Sequence, residues 1–235
     1  LLEYGVSHGG SLQMWKQYFH QQSLIIGVDI DPKCLSLAEP GVEIVIGDQE
    51  NAKTHAQLRE KYGDFDIVID DGGHTMHQQI ATFQGIYPAV KMGGLYIAED
   101  LHTSYMPDWG GGIHQEGTFI EFSKLLIDQL YAWYSVTPGH QPDVITTSAY
   151  ALHFYDSMLI IEKSEVKHPT VLMTGKPSFA INATEYLWLA GHHQRKGNFS
   201  EAIDMCHQAL KIRPDSAPAR SLLQDIEAEI AKLNS

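Results

Sequence analysis

Short apolar runs alternate with amphipathic stretches of helix length over the first hundred residues. The β-rich runs are Leu1–Tyr4, Leu24–Asp29, Val42–Ile46, Phe65–Ile69 and Gly94–Ala98. Between them, helical periodicity covers Ser11–His20, a short stretch after Pro32, Ala52–Tyr62 and Met76–Val90. Buried strands of a parallel sheet read as such near-continuous apolar runs, because helices cover both faces. Repeated βα units of this rhythm predict an α/β, doubly wound, Rossmann-like sheet.

The pattern changes after Asp100. Leu101–Gly117 is rich in aromatic, glycine and histidine residues, and a helix is predicted over Thr118–Tyr134. Two adjacent β-rich runs follow, Val144–Tyr155 and Met158–Lys163, with Asp156-Ser157 as a tight turn between them. That arrangement predicts a terminal antiparallel hairpin on the mostly parallel sheet. The first domain is therefore placed at 1–163. Residues 164–182, with Pro169, Gly175 and Pro177, read as a linker.

Residues 183–235 are helical by period throughout. Tyr186, Leu189, Ala190, Gly197, Phe199, Ala202, Ile203, Ala209, Leu210 and Pro214 fall at the spacings of one tetratricopeptide repeat, Ala183–Ser216. A further amphipathic helix runs to about Leu233. A single repeat cannot bury its own face. It either packs on the first domain or serves as a docking surface for a protein partner or a second copy.

Composition narrows the function classes. The 235 residues carry a net charge of −13, concentrated in residues 1–182, which hold 10 basic and 22 acidic side chains. Such a balance makes a nucleic-acid partner improbable and suits a cationic ligand or a metal. Cys34 and Cys206 form no CxxC pair, so a disulfide framework is not expected and a reducing, cytoplasmic setting is. No apolar stretch of about 18 residues is present, so no membrane span is expected. The chain opens at Leu1, without Met, inside a predicted strand, and residues are expected upstream.

The chemistry-bearing residues follow the strands. In open α/β sheets, ligands bind outside the carboxyl ends of the strands. Asp70-Asp71-Gly72-Gly73-His74 and Glu99-Asp100 are placed there, as a hard-cation site with a base beside it. His74 and His77 form an H-x-x-H pair that would suit zinc, but the oxygen-rich company favours Mg²⁺. After the first strand comes Glu3-Tyr4-Gly5-Val6-Ser7-His8-Gly9-Gly10, which lacks the G-x-G-x-x-G spacing of a dinucleotide site. Its acid before the first glycine suits a ligand bearing an ammonium and a sulfonium. Asp29 ends the second strand, where a carboxylate can accept both hydroxyls of a ribose. Asp31, Asp70 and any acid after a strand also have a simpler reading as helix caps or turn residues.

E-x-G-x-S-x-G-G resembles motif I of S-adenosylmethionine-dependent methyltransferases, and the terminal hairpin is the usual shape of their class I fold. Asp70-Asp71-Gly72-Gly73-His74, Ala98-Glu99-Asp100, Thr103-Ser104-Tyr105, Gly110–Gly112 and His153-Phe154-Tyr155-Asp156 resemble the metal-dependent sugar O-methyltransferases of macrolide biosynthesis, the mycinamicin type. The resemblance covers about residues 1–163. It implies S-adenosylmethionine held by Glu3, Gly5, Ser7, Gly9, Asp29, Asp48 and Gln49, with Asp70 on the cofactor side or structural. It implies Mg²⁺ on Asp71, Glu99 and Asp100, with His74 as general base. The acceptor would be a small molecule, a sugar or glycosylated compound, met by His102, Tyr105 and Trp109, with His114 nearby and the glycines letting the loop close. A phenolic, carboxylate or nitrogen acceptor on the same fold, or a scaffold acting through the repeat, are the alternatives.

Overall fold

In the computed structural model, which describes residues 1–171 and 181–233, the chain divides into two compact units, Leu1–Thr170 and Val171–Ser235. The first unit is built on a seven-stranded sheet: β1 (Leu2–Tyr4), β2 (Ile25–Asp29), β3 (Val42–Ile46), β4 (Phe65–Asp70), β5 (Val90–Ala98), β6 (Ala149–Tyr155) and β7 (Met158–Lys163). The strand order is β3-β2-β1-β4-β5-β7-β6. β1 to β5 are mutually parallel, and β7 runs antiparallel to both β5 and β6. This is the mixed, Rossmann-like sheet of the class I methyltransferases, as expected.

Helices α1 (Gly10–Tyr18), α2 (Ala52–Tyr62), α3 (Met76–Ile86), α4 (Phe119–Leu130) and the short α5 (Val144–Ser148) flank it. Alternation along β1 separates two cores. Leu2 and Tyr4 join the main cluster with Leu58 of α2, Phe83 and Ile86 of α3, and Phe119 of α4. Glu3, between them, meets Trp15 of α1 instead, where Leu12, Ile25 and Val42 form the smaller cluster. Apolar burial at about 25 cal/mol per Å² is the main favourable contribution on both faces.

Among the predicted boundaries that differ from the structure, three have a clear local reason. The helix expected over Met76–Val90 stops at Ile86, gives one 3₁₀ turn at Tyr87–Ala89, and leaves Val90 to open β5. Pro88, lacking an N–H, marks the break. The helix expected to Tyr134 is α4 followed by a 3₁₀ turn at Ala132–Tyr134. The β-branched run Val144-Ile145-Thr146-Thr147 is helical rather than strand. Asp143 Oδ1 accepts from the Ile145 and Thr146 amides, and Thr146 Oγ1 accepts from the Asp143 amide, a closed capping box.

The second unit's described residues form α6 (Ala183–Arg195), α7 (Phe199–Ile212) and α8 (Ala217–Leu233). Ala190, Ala202, Cys206 and Ile226 are fully buried in one small core, and Ala209 and Ala219 in another. Asn182 closes a capping box with Glu185 at the start of α6. Gly197, at φ +74°, makes the turn into α7. The linker expected at 164–182 lies in part outside the described residues. Ser164 and Val166 still pair with Ser148 and Thr147 of the first unit, through amide hydrogen bonds of 2.8 and 2.9 Å.

Candidate active site

The strand order reverses between β1 and β4, which pair directly, with Tyr4 opposite Asp70. A crevice opens at such a switch point because the two adjoining strands send their loops to opposite faces. Here it is a cavity of about 610 Å³, within the roughly 300–1,000 Å³ usual for small-molecule sites. Its walls come from the loops after β1, β2, β3 and β4: Gly5 to His8, Asp29 and Ile30, Gly47 to Gln49, and Asp71 to His74. Gly5 sits at φ +91°, and a Cβ there would fall on the Asp71 carbonyl, so glycine lets the β1 and β4 loops close together.

Of the residues expected to hold a cofactor, Gly5, Ser7, Asp29, Asp48 and Gln49 line this cavity. Asp29 also shapes it. Its Oδ2 accepts from the Val6 and Ser7 amides at 2.9 and 3.0 Å, and its Oδ1 from Asp31 at 2.9 Å. Burial pushes this carboxyl up, but the amide hydrogen bonds outweigh it and hold the group below the usual range. Gln49 is committed to the protein: Nε2 donates to Asp70 and Thr82, and Oε1 accepts from the Gly73 amide at 2.7 Å. It fastens the β3 loop to the β4 loop.

Glu3, Gly9 and Asp70 are not in the cavity wall. Glu3 is buried under the Trp15 indole, which donates to it at 2.5 Å, and burial pushes its carboxyl up to about 7. Gly9, at φ +76°, is the N-cap of α1. Asp70 lies beneath the site, with burial raising its carboxyl to about 7 against opposing hydrogen bonds from Gly72, Thr82 and Gln49. Asp70, expected on the cofactor side or as a structural acid, is buried and outside the cavity wall. Sequence reasoning did not single out His8, Ser11 or Gln78, which also line the cavity. Gln78 had a readable signal, the T-x-x-Q capping box with Thr75 that starts α3.

At one side of the cavity the β4 and β5 loops bring Asp71, His74 and Asp100 together, each offering a ligand atom within 4.8 Å of the others. His74 Nε2 lies 3.4 Å from Asp100 Oδ2 and 3.9 Å from Asp71 Oδ1. Glu99 is outside that group of atoms but feels it. Burial first, then the charges of Asp71 and Asp100, push its carboxyl up. Asp71 is likewise raised by burial and by Asp100, opposed by His74. Among the described residues no lysine or arginine pairs with these three acids, and none lines the cavity. The three acids repel one another, and at Asp71 the His74 imidazole opposes that repulsion.

The backbone around this cluster is strained. His74 and Asp100 both sit in the left-handed region, at φ +56° and +54°. For a residue with a Cβ this costs roughly 1–2 kcal/mol. The Trp109 ring stands 5.9 Å from the His74 ring at a 60° tilt. Tyr105 is exposed, and His102 Nδ1 hydrogen-bonds Ser157 Oγ at 2.5 Å, tying the β5 loop to the β6–β7 turn. His77 is on α3 and outside the metal-type cluster. His114 faces Glu121 at 3.7 Å.

Known proteins share sequence and fold with this chain. The chain is 37% identical over 184 residues, 76% of its length, to 8-demethyl-8-(2-methoxy-alpha-L-rhamnosyl)-tetracenomycin-C 3'-O-methyltransferase of Streptomyces olivaceus. It is 35% identical over 159 residues to mycinamicin VI 2''-O-methyltransferase of Micromonospora griseorubida. A solved structure of the MycE methyltransferase of mycinamycin biosynthesis, in complex with Mg and SAH, superposes with a TM-score of 0.65 over 70% of this chain, at 34% identity. The chain resembles the macrolide sugar O-methyltransferases. It spans 45% of the first relative's length and 44% of that solved chain. No protein-family model matches it.

Proposed function

We propose that the chain is an S-adenosylmethionine- and Mg²⁺-dependent O-methyltransferase acting on a hydroxyl of a sugar or glycosylated natural product. The observation that carries this reading is one shared wall. Asp71 and His74 belong both to the cavity at the switch point and to the carboxylate cluster. A methyl donor in the first would face an acceptor held at the second. The cavity's acids, Asp29, Asp48 and Asp71, with no lysine or arginine beside them among the described residues, fit a cationic ligand such as a sulfonium with an ammonium. The loop after β1 also lacks the glycine spacing of a dinucleotide site.

In this reading Asp29 takes the ribose and Asp48 the adenine end, with Glu3, Gly5, Ser7 and Gly9 shaping the loop that meets the methionine part. Asp71, Glu99 and Asp100 would hold Mg²⁺, whose Lewis acidity makes a nearby alcohol easier to deprotonate. His74 Nε2, facing both carboxylates, accepts the hydroxyl proton as the oxygen takes the methyl group. Asp100 and Asp71, both on the Nε2 side, would stabilise the imidazolium once that nitrogen has taken the proton. Trp109, beside His74, with Tyr105 and His102, would form the face against which the sugar stacks.

Support also comes from the relatives, which are O-methyltransferases of a rhamnosyl-tetracenomycin, of mycinamicin VI and of L-olivosyl-oleandolide. The test is transfer of a labelled methyl group from S-adenosylmethionine to rhamnose-bearing and macrolide glycoside acceptors, with and without chelator. Activity abolished by chelator and restored by Mg²⁺ is expected. Activity indifferent to chelator would sink the metal assignment. His74→Ala is expected to lower turnover at least tenfold while cofactor affinity is kept, and unchanged turnover removes His74 as base.

The helical unit α6–α8 is read as a tetratricopeptide-like docking or self-association surface. Small buried residues at Ala190, Ala202 and Ala209 support close helix packing, and Trp188 is 63% exposed. Static light scattering of the chain with and without Trp188→Glu tests self-association through it. The free cysteines Cys34 and Cys206 fit a reducing, cytoplasmic setting.

A further inference from the structure

Two left-handed residues carry the candidate site, and one hydroxyl holds both. Thr103 Oγ1 lies 3.0 Å from the His74 carbonyl oxygen and 2.8 Å from the Asp100 carbonyl oxygen. The Thr103 amide also donates to the Asp100 carbonyl, at 3.1 Å. The side chain is buried, with 2% of the residue exposed. His74 follows β4 and Asp100 follows β5, so this three-centre hydrogen bond joins the loops of two neighbouring strands at their strained positions. The same residue abuts the aromatic loop. A Cβ on Gly111 would collide with the Thr103 carbonyl and Ser104 backbone, and the Gly112 amide donates to the Ser104 carbonyl at 2.9 Å.

We propose that Thr103 is the positioning residue of the metal site: its hydroxyl fixes the His74 and Asp100 backbones, and so the spacing of the imidazole and carboxylate. The inference rests on the metal reading of Asp71, Glu99 and Asp100 given above. A backbone in the left-handed region persists only where its surroundings over-determine it. The Asp100 carbonyl has the Thr103 amide as well, whereas among the described residues the Thr103 hydroxyl is the donor on the His74 carbonyl. Loss of the hydroxyl releases His74 first. Valine matches threonine in shape and keeps the packing, so Thr103→Val isolates the hydroxyl. Thr103→Ser restores it.

Mn²⁺ is the probe, since its binding is read directly by electron paramagnetic resonance without any acceptor. Thr103→Val is expected to weaken Mn²⁺ about tenfold or more, within the 10–100-fold range typical of groups that orient metal ligands. Thr103→Ser should stay within about threefold of wild type on that scale. S-adenosylhomocysteine affinity by calorimetry is expected to be unchanged in both, because Thr103 is not in the cavity wall. Wild-type Mn²⁺ affinity in Thr103→Val overturns the inference alone. So does serine behaving like valine, or loss of S-adenosylhomocysteine binding in step with Mn²⁺, since either marks a general packing role. If the wild-type chain binds no Mn²⁺, or Asp100→Ala leaves binding intact, the metal reading itself fails and this inference with it.

Discussion

Glu3 and Asp100 show how a candidate site trades stability for charge. Glu3 has its carboxyl pushed up to about 7 by burial, with Asp71 and Glu99 adding repulsion and the Ser11 and Trp15 hydrogen bonds opposing. An unfolded glutamate titrates near its ordinary 4.5, so the folded chain holds the proton more tightly between those values. Its contribution therefore falls as pH rises from about 4.5 to about 7, and is flat above. Glu3→Gln keeps an acceptor for the Trp15 indole and removes the ionisation. The Tm of this variant relative to wild type should rise between pH 5 and pH 8; a pH-independent difference would contradict the burial argument. Asp100→Asn tests the repulsion in the cluster itself. Asparagine tolerates the left-handed backbone, and its neutrality relieves Asp71 and Glu99. Without divalent cations the variant should melt higher than wild type, and with Mg²⁺ that advantage should vanish. Equal melting in both conditions would mean that the acids do not share an ion.

Elements were legible in proportion to how local their causes are. β2 to β4 and α2 stand where apolar period and caps place them, because each is fixed by its own residues. The acids at the strand ends were readable for the same reason: a strand that stops at Asp29 or Asp70 delivers the next side chains to one edge. Pairing across the sheet was not local. Nothing in the sequence of Gln49 announces that its amide is consumed between Asp70, Thr82 and Gly73, nor that Thr103 reaches two carbonyls from different loops. The run at Val144 failed differently. Its β-branched residues favour a strand, and one aspartate outweighs them by capping the first turn of α5. Asp143→Ala should therefore cost about 1 kcal/mol, measured as a lowered urea midpoint. No change in the midpoint would return the α5 conformation to packing by Ile145 and the Tyr87–Ser148 hydrogen bond.

At the scale of the whole molecule, charge decides which ligands the sheet can take. The common doubly wound sheet binds dinucleotides with a glycine-rich loop and a helix N-terminus aimed at a pyrophosphate. This chain has the same crevice, but with a net charge of −13 and Asp29, Asp48 and Asp71 on its wall. A pyrophosphate would enter against Asp29, Asp48 and Asp71 without a counter-charge, whereas S-adenosylmethionine, whose sulfonium and ammonium outnumber its carboxylate, is attracted. The two ligand classes share adenine and ribose, so their comparison isolates the charged part. At a hundred times its dissociation constant, S-adenosylhomocysteine should stabilise the sheet unit by about 2.7 kcal/mol. For a domain of this size that is a Tm rise of roughly 5–10 °C. NAD at the same concentration should leave Tm where it was. Because the attraction is electrostatic, the response to S-adenosylmethionine, which carries the sulfonium as well, should weaken with added salt more than that of its neutral-sulfur product. Stabilisation by NAD equal to that by S-adenosylhomocysteine would show that the crevice reads only the nucleoside, and the carboxylates would then need another explanation.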